Sequence, residues 1–388
     1  MAGDTYTPTE MLAKLVGFDT TSRYSNLALI EFVEDYLAGH GIDTVRVPNS
    51  SGDKSNLIAT VGPAIEGGVV LSGHTDVVPV DGQDWDTDPF VLSQGESRWH
   101  GRGTSDMKSF IAVGLALVPA FLARDIRVPL HFALTYDEEV GCIGAVGLLE
   151  KLCADLPKPM AAIVGEPSNM KVINAHRGVA KLTTLVRGHP GHASATHRGV
   201  SAVAYGAECV AFLNRRAAEL RDESLEDSDF DPPYTTINVG RIDGGSAVNV
   251  IAPECRLDWE CRPIPGRTIA DVIDPFRAYC NETLVPAMQE IGPDCAIETT
   301  VIIEVPAFEP MADSPAEALA LVLTGQNRAG TVPFASEAGL FQHSGIPAVI
   351  CGPGSPDQAH RANEYITIAD LDACTEFLTK LADWAATR

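Results

Sequence analysis

Four short apolar runs in this chain each lead straight into a histidine or a carboxylate, and this pattern restricts the fold more than any other. Residues 69–72 run into His74, residues 130–136 into Asp137-Glu138-Glu139, residues 160–164 into Glu166, and residues 347–351 into the loop carrying His360. Short buried runs separated by helical segments read as parallel strands. In an open α/β sheet, ligands collect in the crevice beyond the carboxyl ends of such strands. Asp106 joins the set from another context, ahead of an apolar helical stretch at 107–122. Two imidazoles and three carboxylates make a nitrogen and oxygen donor set that suits zinc or a similar divalent ion. Five donors exceed the needs of one tetrahedral zinc. With one carboxylate bridging, they fit two metals.

The rest of the chain supports that frame. Residues 8–15 and 27–40 have helical apolar spacing, with Thr7 before Pro8 as an N-cap signal and Gly41 as the expected C-cap. Residues 56–61 read as a further strand. From about residue 179 the order changes to strand 179–186, helix 201–220, strands 235–242 and 255–261, helix 269–288 and strand 296–303. The sequence β-α-β-β-α-β is that of a ferredoxin-like unit. The acidic stretch 221–231 reads as a solvated loop. The α/β alternation resumes with helices 316–327 and 337–344, strand 348–351 and helix 370–386. The expected fold class is therefore α/β. A catalytic domain, residues 1–178 and 305–388, has a mainly parallel mixed sheet flanked by helices. A smaller ferredoxin-like α+β lid and dimerisation domain, residues 179–304, interrupts it. At 388 residues the chain is too long for one ordinary core, which agrees with two domains.

Bulk properties exclude several classes. A net charge of −24 disfavours nucleic acid and anionic membranes as partners. No apolar run reaches membrane-spanning length, and residues 1–10 lack a basic and apolar signal region. Nine cysteines without a CxxC pair argue against a disulfide framework and fit a reducing cytoplasm. A small molecule is the expected partner.

Taken singly, each candidate has an ordinary alternative. His74 and Asp76, two apart at a strand end, share a face, so Asp76 can orient the His74 ring; a strand-end histidine is also a common surface residue. Asp106 ahead of a helix can be an N-cap. The acidic triplet 137–139 can be a solvated turn, although adjacent carboxylates repel unless cations neutralise them. Glu166 and His360 can be loop residues. The five together, in this order and in these contexts, are much harder to explain that way.

The segments Ser72-Gly-His74-Thr-Asp76-Val-Val-Pro79, Gly103-Thr-Ser-Asp106-Met-Lys108, Asp137-Glu138-Glu139-Val-Gly141 and Gly165-Glu166-Pro167-Ser168 resemble the metal motifs of a family of di-zinc hydrolases. That family comprises deacetylases, desuccinylases and aminoacylases of amino acids and related carboxypeptidases. The resemblance runs nearly end to end and is greatest toward the deacetylase branch, in Phe18-Asp-Thr-Thr-Ser-Arg-Tyr-Ser-Asn26, Tyr136-Asp-Glu-Glu-Val-Gly-Cys-Ile-Gly144 and Ser336-Glu-Ala-Gly-Leu-Phe341. Ser109, in place of a glycine, and Arg361-Ala362-Asn363 after His360 depart from the pattern without removing a ligand.

The resemblance implies removal of an acyl group from a small N-acyl amino acid, an acetyl group in the deacetylase branch. His74 and Glu166 would hold one metal, Glu139 and His360 the other, and Asp106 would bridge. Zinc is expected, with cobalt or manganese as alternatives that the same ligands accept. Glu138 would be the general base, with Asp76 beside it in the catalytic set. His192, in Gly188-His-Pro-Gly-His192, would donate to the oxyanion, from the partner subunit of a homodimer joined through the inserted domain. Asn249 and Arg262 would bind substrate, Arg262 through a bidentate grip on a carboxylate. A non-catalytic binding relative would lack Glu138 or several ligands, and none is missing here.

Overall fold

A computed structural model describes residues 3–224 and 228–388. The chain divides into two compact units. The first comprises Met1–Ala175, Pro310–Thr331 and Ser336–Arg388, and the second His176–Glu309 with Val332–Ala335.

The first unit is built on an eight-stranded sheet. Its strand order is Thr44–Pro48, Ser55–Val61, Leu130–Thr135, Val69–His74, Ala161–Pro167, Ala348–Gly352, Ile173–His176 and Gly330–Val332. The four strands from Leu130–Thr135 to Ala348–Gly352 run parallel, while the Thr44–Pro48 and Ser55–Val61 side is antiparallel. Every residue of those four parallel strands is buried, so their sequences are mostly apolar without a polar alternation. Helix Lys108–Ala116 packs on Val69–His74 and against helices Pro8–Val16 and Ile368–Thr387. Helix Ile143–Asp155 packs on Ser55–Val61. Thr7 with Glu10, and Thr367 with Asp370, form reciprocal caps at the two terminal helices.

The second unit has four antiparallel strands, Val179–Arg187, Thr236–Gly244, Glu254–Arg262 and Ala296–Val305. Across the sheet they lie in the order fourth, first, third, second. Helix Ala202–Asp222 covers the sheet. With Ala270–Tyr279 it encloses a separate apolar core around Trp259 and Phe276. Alternating burial along Val179–Arg187 and Glu254–Arg262 fits a sheet with one covered face.

Several expected elements differ in extent. The stretch 107–122 is two helices, Lys108–Ala116 and Val118–Leu122, because the Pro119 ring cannot continue the first. The stretch 269–288 is interrupted by a π turn at Cys280–Leu284, with Pro286 opening the last piece, Val285–Gln289. Gly325 takes a left-handed backbone, φ 70°, and stops Pro315–Thr324 short of residue 327. His40, not Gly41, caps Leu27–Gly39; Gly41 turns left-handed just beyond. The acidic stretch 221–231 starts inside a helix that reaches Asp222, and its residues 225–227 lie outside the described residues.

His131 gives this core a pH dependence. It is 1% exposed on a central strand, bonded through Nδ1 to the Thr60 hydroxyl at 2.8 Å, while Nε2 has no hydrogen-bond partner among the described residues. Burial pushes its pKa down to about 4. The unfolded chain protonates this imidazole near its ordinary 6.5. Its contribution to stability is therefore present above pH 6.5 and is lost as pH falls toward 4. The parent protein is expected to lose more stability than His131→Gln between about pH 7 and pH 5, measured as urea midpoints. Parallel pH profiles would show that His131 does not titrate on unfolding.

Candidate active site

The residues singled out in the first unit converge at the carboxyl ends of the parallel strands. His74 is the last residue of Val69–His74, opposite Thr135 on the neighbouring strand. Its Nδ1 donates to the Asp76 carbonyl at 2.9 Å, and the Asp76 carboxylate lies at 3.6 Å. The orienting contact expected from the Asp76 side chain therefore comes first from its backbone. The Asp76 carboxylate is fully engaged elsewhere. It accepts from the Ser22 hydroxyl at 2.7 Å and from the backbone N–H groups of Glu138 at 3.1 Å and Glu139 at 3.3 Å. Asp76 thus fixes the turn that presents both glutamates.

Asp106 does not cap the helix that follows it; Met107 occupies that position without a side-chain bond. The Asp106 carboxylate instead lies between two imidazoles. Oδ1 is 2.9 Å from His74 Nε2 and Oδ2 is 3.3 Å from His360 Nε2. His360 Nε2 is also 3.0 Å from Glu139 Oε2, and Glu166 Oε1 is 3.7 Å from His74 Nε2. The other four expected donors are therefore gathered around the Asp106 carboxylate, two of them in direct contact with it. Donor atoms of His74, Asp106 and Glu139 lie within 4.8 Å of one another, and so do those of His74, Glu138 and Glu166.

No role was expected of Glu364, although it keeps the glutamate that ends the family pattern after His360. Its buried carboxylate accepts from the backbone of Gly103 at 3.1 Å, Ser105 at 2.7 Å and Asp106 at 3.0 Å, and from Arg102 Nη1 at 2.6 Å. Gln83 continues the link, accepting from Arg102 at 2.6 Å and donating to the His360 carbonyl at 3.0 Å. Glu337 is a second buried carboxylate, accepting from the Ser72 hydroxyl at 3.0 Å.

The electrostatics show what the cluster lacks. Burial, together with the charges of Glu139, Glu337 and Asp106, holds Glu138 well above the ordinary carboxylate range, against the pull of His74. Burial and Asp106 push Glu139 up to about 7, and burial, Asp106 and Glu138 raise Glu166. Asp106 is held low despite burial, because His360 and His74 both donate to it. Hydrogen bonds donated to the Asp106 and Glu139 carboxylates raise His360 to about 10. Buried carboxylates that take up protons in this way are short of positive charge. Glu139 Oε1 and Glu166 Oε1 are buried without a hydrogen-bond partner among the described residues. Unpaired oxygens on hard ligands beside two imidazoles fit divalent metal ions.

The remaining candidates belong to the second unit. His192 ends a two-residue strand, Gly191–His192, paired with Val250–Ile251. Ala193 N–H donates to the Asn249 carbonyl at 3.0 Å, so the loops of His192 and Asn249 are joined. Ser194 faces His192 Nδ1 with both its hydroxyl, at 2.7 Å, and its N–H, at 3.2 Å. Arg262 ends Glu254–Arg262 and is half-buried. It pairs with Glu260 on its own strand, Nε to Oε1 at 3.0 Å and Nη2 to Oε2 at 3.4 Å.

Residues 70–384 match the profile of peptidase family M20/M25/M40. The chain is 33% identical to the acetylornithine deacetylase of Pasteurella multocida (strain Pm70) over 358 residues, 92% of this chain and 91% of that one. It is 34% identical to the acetylornithine deacetylase of Myxococcus xanthus over 380 residues, 95% of each. An M20 family metallo-carboxypeptidase from Sulfolobus solfataricus superposes with a TM-score of 0.74 at 16% identity, covering 99% of this chain and 100% of that one.

Proposed function

Because the chain belongs to peptidase family M20/M25/M40, we propose that it hydrolyses the amide of N2-acetyl-L-ornithine to L-ornithine and acetate, a step of arginine biosynthesis. The curated relatives named as acetylornithine deacetylases support the substrate. The single observation that carries the chemistry is the Asp106 carboxylate shared between His74 and His360. His74, Glu166 and one Asp106 oxygen would hold one divalent ion; Glu139, His360 and the other oxygen would hold a second, zinc by preference. Such ions, when bound, polarise an amide carbonyl and lower the pKa of a water.

Glu138 takes the proton of the attacking water and returns it to the leaving nitrogen. Burial and the neighbouring carboxylates hold Glu138 above the ordinary carboxylate range, which makes it a stronger base than a free glutamate. His192 presents a ring N–H donor to the developing oxyanion. Arg262 receives the substrate α-carboxylate, exchanging part of its grip on Glu260, with Asn249 beside the same strands.

The test is turnover of the metal-loaded protein on N2-acetyl-ornithine, N-succinyl-diaminopimelate and other N-acyl amino acids. Acetylornithine is expected to lead by about tenfold or more in kcat/KM. A better succinyl or peptide substrate would move the activity elsewhere in the family. In the same panel Arg262→Lys should lose at least about tenfold in efficiency on every α-carboxylate substrate, with metal content unchanged. An unaffected variant would leave Arg262 as the ion-pair partner of Glu260.

We further propose that the protein is a homodimer in which His192 serves the site of the other copy. Mixing His192→Ala with Glu138→Gln, each inactive alone, should then restore activity once subunits exchange. Random hybrids would regain about one quarter of parent turnover, from one intact composite site in half of the dimers. No recovery after demonstrated exchange would place His192 within its own chain.

A further inference from the structure

The chain between strand Leu130–Thr135 and helix Ile143–Asp155 turns through three left-handed residues, Asp137 at φ 56°, Gly141 at φ 116° and Cys142 at φ 55°. Glycine adopts that region freely, whereas a cysteine meets a steric cost there. The surroundings enforce it. The N–H groups of Gly141 and Cys142 both donate to the Glu138 carbonyl at 2.9 Å, and Ile143 N–H donates to the Asp137 carbonyl at 3.1 Å. Lys54 grips the Asp137 carboxylate at 2.5 Å. Gly144 sits so tightly under the turn that a Cβ would come within 2.2 Å of the Tyr136 carbonyl oxygen.

A strained residue held this firmly raises the question of what its side chain does. Cys142 is 2% exposed, and its thiol donates to Glu138 Oε1 at 3.3 Å. Glu138 sits among His74, Glu139, Glu337 and Asp106, whose charges pull its carboxylate in opposing directions, so a fixed contact at one oxygen sets where it rests.

We infer that Cys142 is a positioning residue for Glu138. Its thiol fixes Oε1, so that Oε2 is the oxygen turned toward the reacting water. A thiol is a weak donor, which anchors the carboxylate without drawing off much of its basicity. The inference rests on the reading of Glu138 as the base.

The experiment compares Cys142→Ser, Cys142→Ala and Cys142→Gly with Glu138→Gln, all metal-loaded, on acetylornithine. Ala and Gly are expected to lose about tenfold in kcat, with KM and metal content unchanged, for want of one hydrogen bond. Ser supplies a hydroxyl donor and should stay within about threefold of the parent. Gly relieves the left-handed strain, so a fold defect cannot imitate the loss. Parent-like kcat in both Ala and Gly beside an inactive Glu138→Gln overturns the role of Cys142 and leaves the base intact. Loss of metal in step with rate, or a Ser variant as slow as Ala, also overturns it. An active Glu138→Gln removes the base itself and the inference with it.

Discussion

Glu138→Gln is expected to retain both metals and to lower kcat by about 10⁴-fold, the upper range for losing a general acid–base group. The amide keeps the shape of the side chain and an oxygen that can accept from Cys142, so the turn should be undisturbed. What it loses is the capacity to take a proton from water and give it to the leaving amine. Elemental analysis beside steady-state kinetics decides the matter. Glu138 belongs, with His74 and Glu166, to a triple whose donor atoms lie within 4.8 Å, so geometry alone permits it to be a ligand. Metal content falling by half with activity in proportion would make it one.

Asp106→Asn is expected to release metal from both positions together. Its two oxygens face different imidazoles, and an amide has only one oxygen to offer. Its NH2 would oppose either a histidine proton or a cation. Loss of an outer contact to a ligand already costs about 10- to 100-fold in metal affinity, so a shared ligand should cost at least about 100-fold at each position. Turnover at fixed, low free zinc should fall accordingly. The fold should survive, because Glu364 holds the Asp106 backbone N–H and not its carboxylate. Normal stoichiometry after dialysis would show that the carboxylate is not shared between metals.

The parallel strands were legible because each is buried on both faces and so reads as a mostly apolar run. The donors at their ends were legible because histidine and carboxylate after such runs are out of keeping with a core. Edge strands gave less: Thr44–Pro48 is only partly covered, and its composition does not separate it from a loop. The two-residue ladder of Gly191–His192 with Val250–Ile251 is too short to leave any periodicity. The working roles of Glu364 and Cys142 were not legible. Each acts through backbone geometry, a cradle of amide donors in one case and a left-handed turn in the other, and neither geometry is written in residue type.

The carboxylate of Glu364 reaches 261 residues back along the chain to the Gly103 amide, while standing four residues from His360. The backbone of Asp106 and the loop carrying His360 therefore hang from a common peg. A change in length or composition in either loop is thus expected to disturb both. Grafting the 101–106 loop from a relative without its matching 360–364 segment would leave the buried Glu364 carboxylate facing an unmatched loop.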